Sequence, residues 1–194
     1  LASALTNLLV VVLGGLAGLA WLLAPWLVAR LFPFQDPGQV QLTASLLRLL
    51  LPTAVAFGVS GLLMGTLNAH QHFALPALAP AFYSLGWIFG AVILAPRLGI
   101  HGLAWGILLG SALHLLVQLP ALRGLKPSFR FGLGWQNPDV RQVAVLFPPR
   151  LLGVAVVQVN FLVNTILATG QPEGSLTAIT NAFMIMLMPQ VLIA

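Results

Sequence analysis

Residues 1–29 read LASALTNLLVVVLGGLAGLAWLLAPWLVA and contain no charged side chain. The first charge is Arg30. The same pattern recurs along the chain. No charge lies between Arg48 and Arg97, between Arg97 and Arg123, or between Arg150 and Glu173. A bilayer core of about 30 Å is crossed by about 20 apolar residues in a helix. The uncharged runs leave room for six such crossings and little else. The sequence therefore predicts an all-α, polytopic transmembrane helical bundle of about six transmembrane helices.

Composition agrees. Charged residues make up 6% of the chain, against about 25% in a soluble domain. Hydrophobic residues make up 59%, and the mean hydropathy is +1.01. These values exclude a water-soluble enzyme. The net charge of +5 comes from residues that sit mainly between helices. There it reads as topology and lipid headgroup contact rather than nucleic-acid binding. The absence of Cys removes disulfides, Cys-ligated zinc and thiol chemistry. The chain starts at Leu1 without a basic leader, and Ala194 lies in an apolar run that begins near Ser175. The expectation is an internal piece of a larger membrane protein.

Six helices are expected, at about 5–28, 42–68, 75–94, 102–119, 140–169 and from 175 onward. Trp21 and Trp26 close the first, where amphipathic rings settle at headgroup level. Pro33, Asp36, Pro37 and Gly38 make a polar turn. Pro52 is expected to kink the second helix, and Pro148 and Pro149 to interrupt the fifth. Residues 121–139 differ in character. They combine Arg123, Lys126 and Arg130 with Phe129, Phe131 and Trp135, which suits a linker lying on an anionic membrane surface. With that linker cytoplasmic, Arg123, Lys126, Arg130 and Arg141 face in, against Arg30 and Arg97 at the outer turns.

Four helices carry glycines four residues apart: Gly14 and Gly18, Gly61 and Gly65, Gly86 and Gly90, Gly106 and Gly110. Such pairs let helix backbones approach closely, either as fixed packing or as seams that slide during transport. Arg48 and Arg150 lie inside or beside apolar runs. An intramembrane cation faces a partner or a wet cavity, or snorkels to the headgroups. On the fifth helix Arg150, Gly153, Asn160 and Asn164 share an arc of about 80°, with Gln158 on the other flank of Arg150. That face either binds neighbouring helices or meets a substrate with phosphate and amide groups. The histidines His70, His72, His101 and His114 have no metal-site spacing and no carboxylate nearby, so no metal is expected. No cofactor is implied. No nucleophile with its base and orienter can be assembled, so no enzyme is expected.

The most specific stretches are LRLLLP (47–52) and GTLNAHQHFALPALAP (65–80), followed by QLP (118–120), PRLLG (149–153), QVN (158–160) and NTILA (164–168). In that order they resemble the lipid II flippase family, MurJ/MviN, of the multidrug/oligosaccharidyl-lipid/polysaccharide exporter superfamily. Gly65, Asn68, Phe73, Pro76 and Pro80 carry the family's signature turn. The resemblance spans essentially the whole chain and aligns it with the family's third to eighth helices. It implies a two-lobed fold with a central cationic cavity. Residues 1–121 would be the last four helices of the first lobe, 122–139 the basic cytoplasmic linker, and 140–194 the first two helices of the second lobe.

The resemblance also implies function. A polyprenyl-pyrophosphate-linked saccharide, lipid II, is flipped across the bacterial cytoplasmic membrane by alternating access. Arg48, Arg150, Gln158, Asn160 and Asn164 are the expected substrate contacts. No oligomer is indicated. One departure stands out. Many members carry an Asp-Arg pair before a Pro in the eighth helix, where this chain has Phe183 and Met184 before Pro189. Arg150 is the expected replacement cation. The alternatives are an exporter of another polyprenyl-linked saccharide, and a non-transporting membrane scaffold or remnant.

Overall fold

The computed structural model describes residues 2–32, 36–122, 137–172 and 174–193. The basic, aromatic stretch expected to lie on the membrane surface, Arg123 to Trp135, falls outside them, as do Pro33 and Glu173.

Helix α1 spans Ala2–Leu31 and α2 spans Pro37–Ala69. At about 1.5 Å per residue these are about 45 and 50 Å long, well beyond a 30 Å hydrocarbon core. Helix α3 spans Ala74–Phe89 and passes through a π turn, Gly90–Leu94, into the short α4, Ala95–Leu98. Helix α5 is Ile100–Leu116 and α6 is Leu119–Leu122. Helix α7 spans Pro138–Thr169 and α8 spans Ser175–Ile193. Every described element is helical.

Five segments are long and apolar enough to cross a bilayer: Ser3–Leu31, Pro37–Ala69, Ala74–Leu98, Ile100–Leu122 and Pro138–Thr169. The sixth expected crossing, in α8, has a described apolar stretch of Ser175–Pro189, shorter than the others.

Three local expectations are corrected. Helix α2 starts five residues before the expected 42. Asp36 is its N-cap, with Oδ1 accepting from the Gly38 N–H at 2.9 Å, and Pro37 takes the first helical position. The residues read as a turn are a cap followed by a proline whose missing donor is not needed there. Asn137 and Pro138 start α7 in the same way, with Asn137 Oδ1 accepting from the Asp139 N–H at 2.9 Å. Helix α7 then continues through Pro148 and Pro149 without the expected interruption. Proline removes individual backbone bonds, but the surrounding apolar turns keep the chain helical in a membrane.

The core lies where α2, α3 and α5 meet. Leu63 and Leu67 of α2, Ala79 of α3 and Ala104 of α5 are buried. The hairpin of α3, its π turn and α4 against α5 is closed by Gly99, with φ +60°, a backbone conformation suited to glycine. Along this hairpin the glycines meet backbone to backbone. A Cβ on Gly86 would come within 3.0 Å of Gly110, and one on Gly90 or Gly106 would collide with the other's Cα. Gly102 sits equally tightly against Leu94 and Ala95. The expected close approach therefore exists for Gly86, Gly90, Gly106 and Gly110. It does not exist for Gly14, Gly18, Gly61 and Gly65, over which a Cβ would meet nothing within 4 Å.

Candidate functional site

The expected site residues fall into separate places. On α7, Arg150, Gln158, Asn160 and Asn164 are all exposed. Asn164 Nδ2 donates to Asn160 Oδ1 at 2.8 Å and to the Asn160 carbonyl at 3.1 Å. The two amides thus form one unit a helical turn long. Only Val140 and Ala168 of α7 are buried, so most of its surface is unpartnered among the described residues.

Helix α8 packs on this helix through Phe183, whose ring centroid is 6.1 Å from that of Phe161. Phe161 lies between Arg150 and Gln158 on the helical wheel, so α8 touches the polar face itself. Phe183, one of the two residues singled out before Pro189 in the sequence, therefore sets its ring against α7. The contact also fixes height. Phe161 lies eleven residues beyond Arg150, about 16 Å along the axis. Arg150 is therefore about three helical turns away from the level of Phe183 and Met184.

Arg48 is held elsewhere. Its Nε donates to the Trp21 carbonyl at 2.9 Å, and its guanidinium lies 4.7 Å from the centroid of the Trp21 ring. Among the described residues no hydrogen bond joins Arg48 to the α7 amides. The signature turn is structural. Asn68 and Gly65 end α2, Phe73 is the N-cap position of α3, and Pro76 is buried in its first turn while Pro80 is exposed. His72 N–H closes the turn onto the Leu67 carbonyl at 2.9 Å, with Gln71 at φ +62°.

A buried polar node was not anticipated. Ser60 Oγ of α2 is 2.6 Å from His114 Nδ1 of α5. Gln118 Nε2 donates to Ser60 Oγ and, at 2.9 Å, to the His114 carbonyl. Ser60 and Gln118 are fully buried. Because the hydroxyl accepts from Gln118, its own proton is available to His114 Nδ1. The Phe57 ring stands edge-on to both Tyr83 and His114, at 5.1 and 5.2 Å. One signal was in the sequence: His114 and Gln118 are four residues apart, at the end of α5 and in the turn that follows it. Two of the other histidines are also engaged. His70 Nδ1 is 2.8 Å from the Thr66 carbonyl, and His101 Nε2 is 3.2 Å from Ser45 Oγ.

Long apolar helices, a glycine-locked hairpin and polar groups confined to a few helix faces define a multi-pass membrane protein. The fold and site leave the family to comparison with known sequences. The chain belongs to the family described as lipid II flippase MurJ, whose model matches residues 1–194. It is 32% identical over 186 residues to the lipid II flippase MurJ of Burkholderia cenocepacia, covering 92% of this chain and 35% of that protein. It is 33% identical over 176 residues to the probable lipid II flippase MurJ of Vibrio cholerae, covering 87% of this chain and 33% of the other. The corresponding protein of Bdellovibrio bacteriovorus is 35% identical over 133 residues, 68% of this chain and 25% of its own length. The chain thus spans about a third of the length of the curated relatives it matches.

Proposed function

We propose that this chain is part of a transporter, not an enzyme, that flips the lipid-linked peptidoglycan precursor lipid II across the bacterial cytoplasmic membrane by alternating access. The observation that carries this reading is the family match over residues 1–194. Residues 1–121 then supply four helices of the first lobe, 122–139 the linker, and 140–194 two helices of the second lobe.

Within that reading, the α7 face is the part of this chain that meets substrate. Arg150 offers a planar fork of donors to a pyrophosphate. Gln158, Asn160 and Asn164 offer amides to the saccharide and peptide groups. With α7 centred on the bilayer, Arg150 lies about 5 Å from the midplane, deep enough for its charge to require a wet cavity or an anion. It supplies a cation about three turns from the level of Phe183 and Met184.

The test is growth. The full-length protein should restore growth to a bacterium depleted of its own lipid II flippase. Rescue of a strain lacking an exporter of a different polyprenyl-linked saccharide, with no rescue of the flippase-depleted strain, overturns the choice of substrate.

A further inference from the structure

We infer that Arg48, Trp21 and the groove between α1 and α2 form a binding site for an anionic phospholipid, separate from the substrate-facing side of α7. The inference does not rest on the flippase reading.

Four observations carry it. First, a groove of about 500 Å³ runs between the helices, lined by Gly14, Gly18 and Trp21 of α1 and by Pro52, Val55 and Val59 of α2. Its walls are almost wholly apolar. Second, the groove is open. A Cβ on Gly14 or Gly18 would meet nothing within 4 Å, so these glycines are not pressed against a neighbouring helix. They form a floor into which a chain can lie.

Third, Arg48 stands at one end. It precedes Pro52, Val55 and Val59 by four, seven and eleven residues, which places it on the same face of α2. Trp21 likewise follows Gly18 and Gly14 by three and seven. The cation and the ring therefore cap the same end of the groove from the two helices. Fourth, among the described residues the cation has no acidic partner. Its described hydrogen bond goes to the Trp21 carbonyl, not to a carboxylate. The Nε bond and the ring at 4.7 Å fix the guanidinium plane and leave its terminal nitrogens for a ligand.

Depth makes the need concrete. With each helix centred on the bilayer, Trp21 lies about 7 Å and Arg48 about 8 Å from the midplane. The hydrocarbon boundary is at about 15 Å. A cation about 7 Å inside it requires a counter-charge or a path to water. A phospholipid headgroup drawn down to Arg48, with one acyl chain in the groove, satisfies the cation and fills the apolar channel together. A zwitterionic lipid fills the channel equally well but neutralises the cation less. Charge complementarity therefore selects an anionic headgroup.

The experiment uses the full-length protein with every tryptophan except Trp21 replaced by Phe, among them Trp26, Trp87, Trp105 and Trp135, so that Trp21 alone fluoresces. It is reconstituted with phosphatidylglycerol or phosphatidylcholine carrying brominated acyl chains, which quench a tryptophan they touch. The expected result is that phosphatidylglycerol quenches Trp21 at about fivefold lower mole fraction than phosphatidylcholine. Arg48→Gln should bring that ratio to about one. Gly18→Leu, which fills open space, should reduce quenching by both lipids while helicity is retained. Equal quenching by the two lipids in the protein with native Arg48 overturns the proposal. So does absence of quenching by either, which means that protein fills the groove. Displacement of brominated phosphatidylglycerol by equimolar polyprenyl pyrophosphate also overturns it, because the groove then belongs to the transported substrate.

Discussion

Ser60 Oγ lies 2.6 Å from His114 Nδ1, joining two helices that are 54 residues apart in sequence at a point where neither side chain reaches water freely. Gln118 donates into the same hydroxyl. Ser60→Ala removes the shared atom and leaves His114 Nδ1 and Gln118 Nε2 each short of a partner. The expected loss of stability is about 1 kcal/mol, between the average of about 0.6 and the maximum of about 1.7 for polar bonds between membrane helices. Thermal unfolding in detergent measures it. Replacing Ser60, His114 and Gln118 together with Ala, Leu and Leu should cost less than the sum of the single changes, because no unpaired group then remains.

The glycine hairpin predicts a contrast. Gly106→Ala drives a methyl into the Cα of Gly90 and the carbonyl of Gly86, both backbone atoms that cannot rotate away. A loss of about 1 to 3 kcal/mol is expected, as for overpacked cores. Gly14→Ala has the same sequence context but open space above it. It should change the unfolding temperature little or raise it, since Ala is the better helix former.

Arg150 carries the transport prediction. Arg150→Ala in the full-length protein should abolish its support of a flippase-depleted strain while membrane levels stay unchanged on an immunoblot. Arg150→Lys should retain only part of the activity, since a point charge replaces a bidentate fork. Normal growth with the Ala variant would remove Arg150 from the site.

The cap of α2 is the fourth case. Asp36→Ala deletes the acceptor for the Gly38 N–H. It should cost about 1 kcal/mol and raise amide hydrogen exchange in the first turn, at Gly38 to Val40, with little change near Ala69.

Helix existence was legible because an uncharged run of more than 20 residues has few alternatives in a membrane protein. The ends were less so. Asp36, Pro37 and Gly38 satisfy the rules for a turn and for a capped helix start equally well, and only the register of α2 decides between them. The glycine pairs show a different limit. Spacing tells which residues share a face but not what that face meets. Gly86 and Gly90 meet Gly106 and Gly110, whereas Gly14 and Gly18 meet open space. The polar node was half visible, in His114 and Gln118. Its third member, Ser60, lies on a helix whose packing against α5 no local pattern encodes. On α7 the shared arc of Arg150, Asn160 and Asn164 was legible. The ring contact between Phe161 and Phe183 was not, because it needs the pairing of two helices.

The hairpin closed by Gly99 has a consequence for the order of assembly. Its backbone contacts join residues 24 apart, Gly86 to Gly110, and 16 apart, Gly90 to Gly106. Loop closure over such short spans costs little entropy. The Ser60 node needs a span of 54 residues, and α1 also packs against α2, a pair of very long helices. During synthesis from the N-terminus, the hairpin can lock as soon as Gly110 leaves the ribosome and its membrane insertion machinery. It then offers α2 a rigid surface carrying His114 before α7 has been made. A defect at Gly90 or Gly106 should therefore appear early, as a nascent chain held at the insertion site, rather than only as a finished protein that melts sooner.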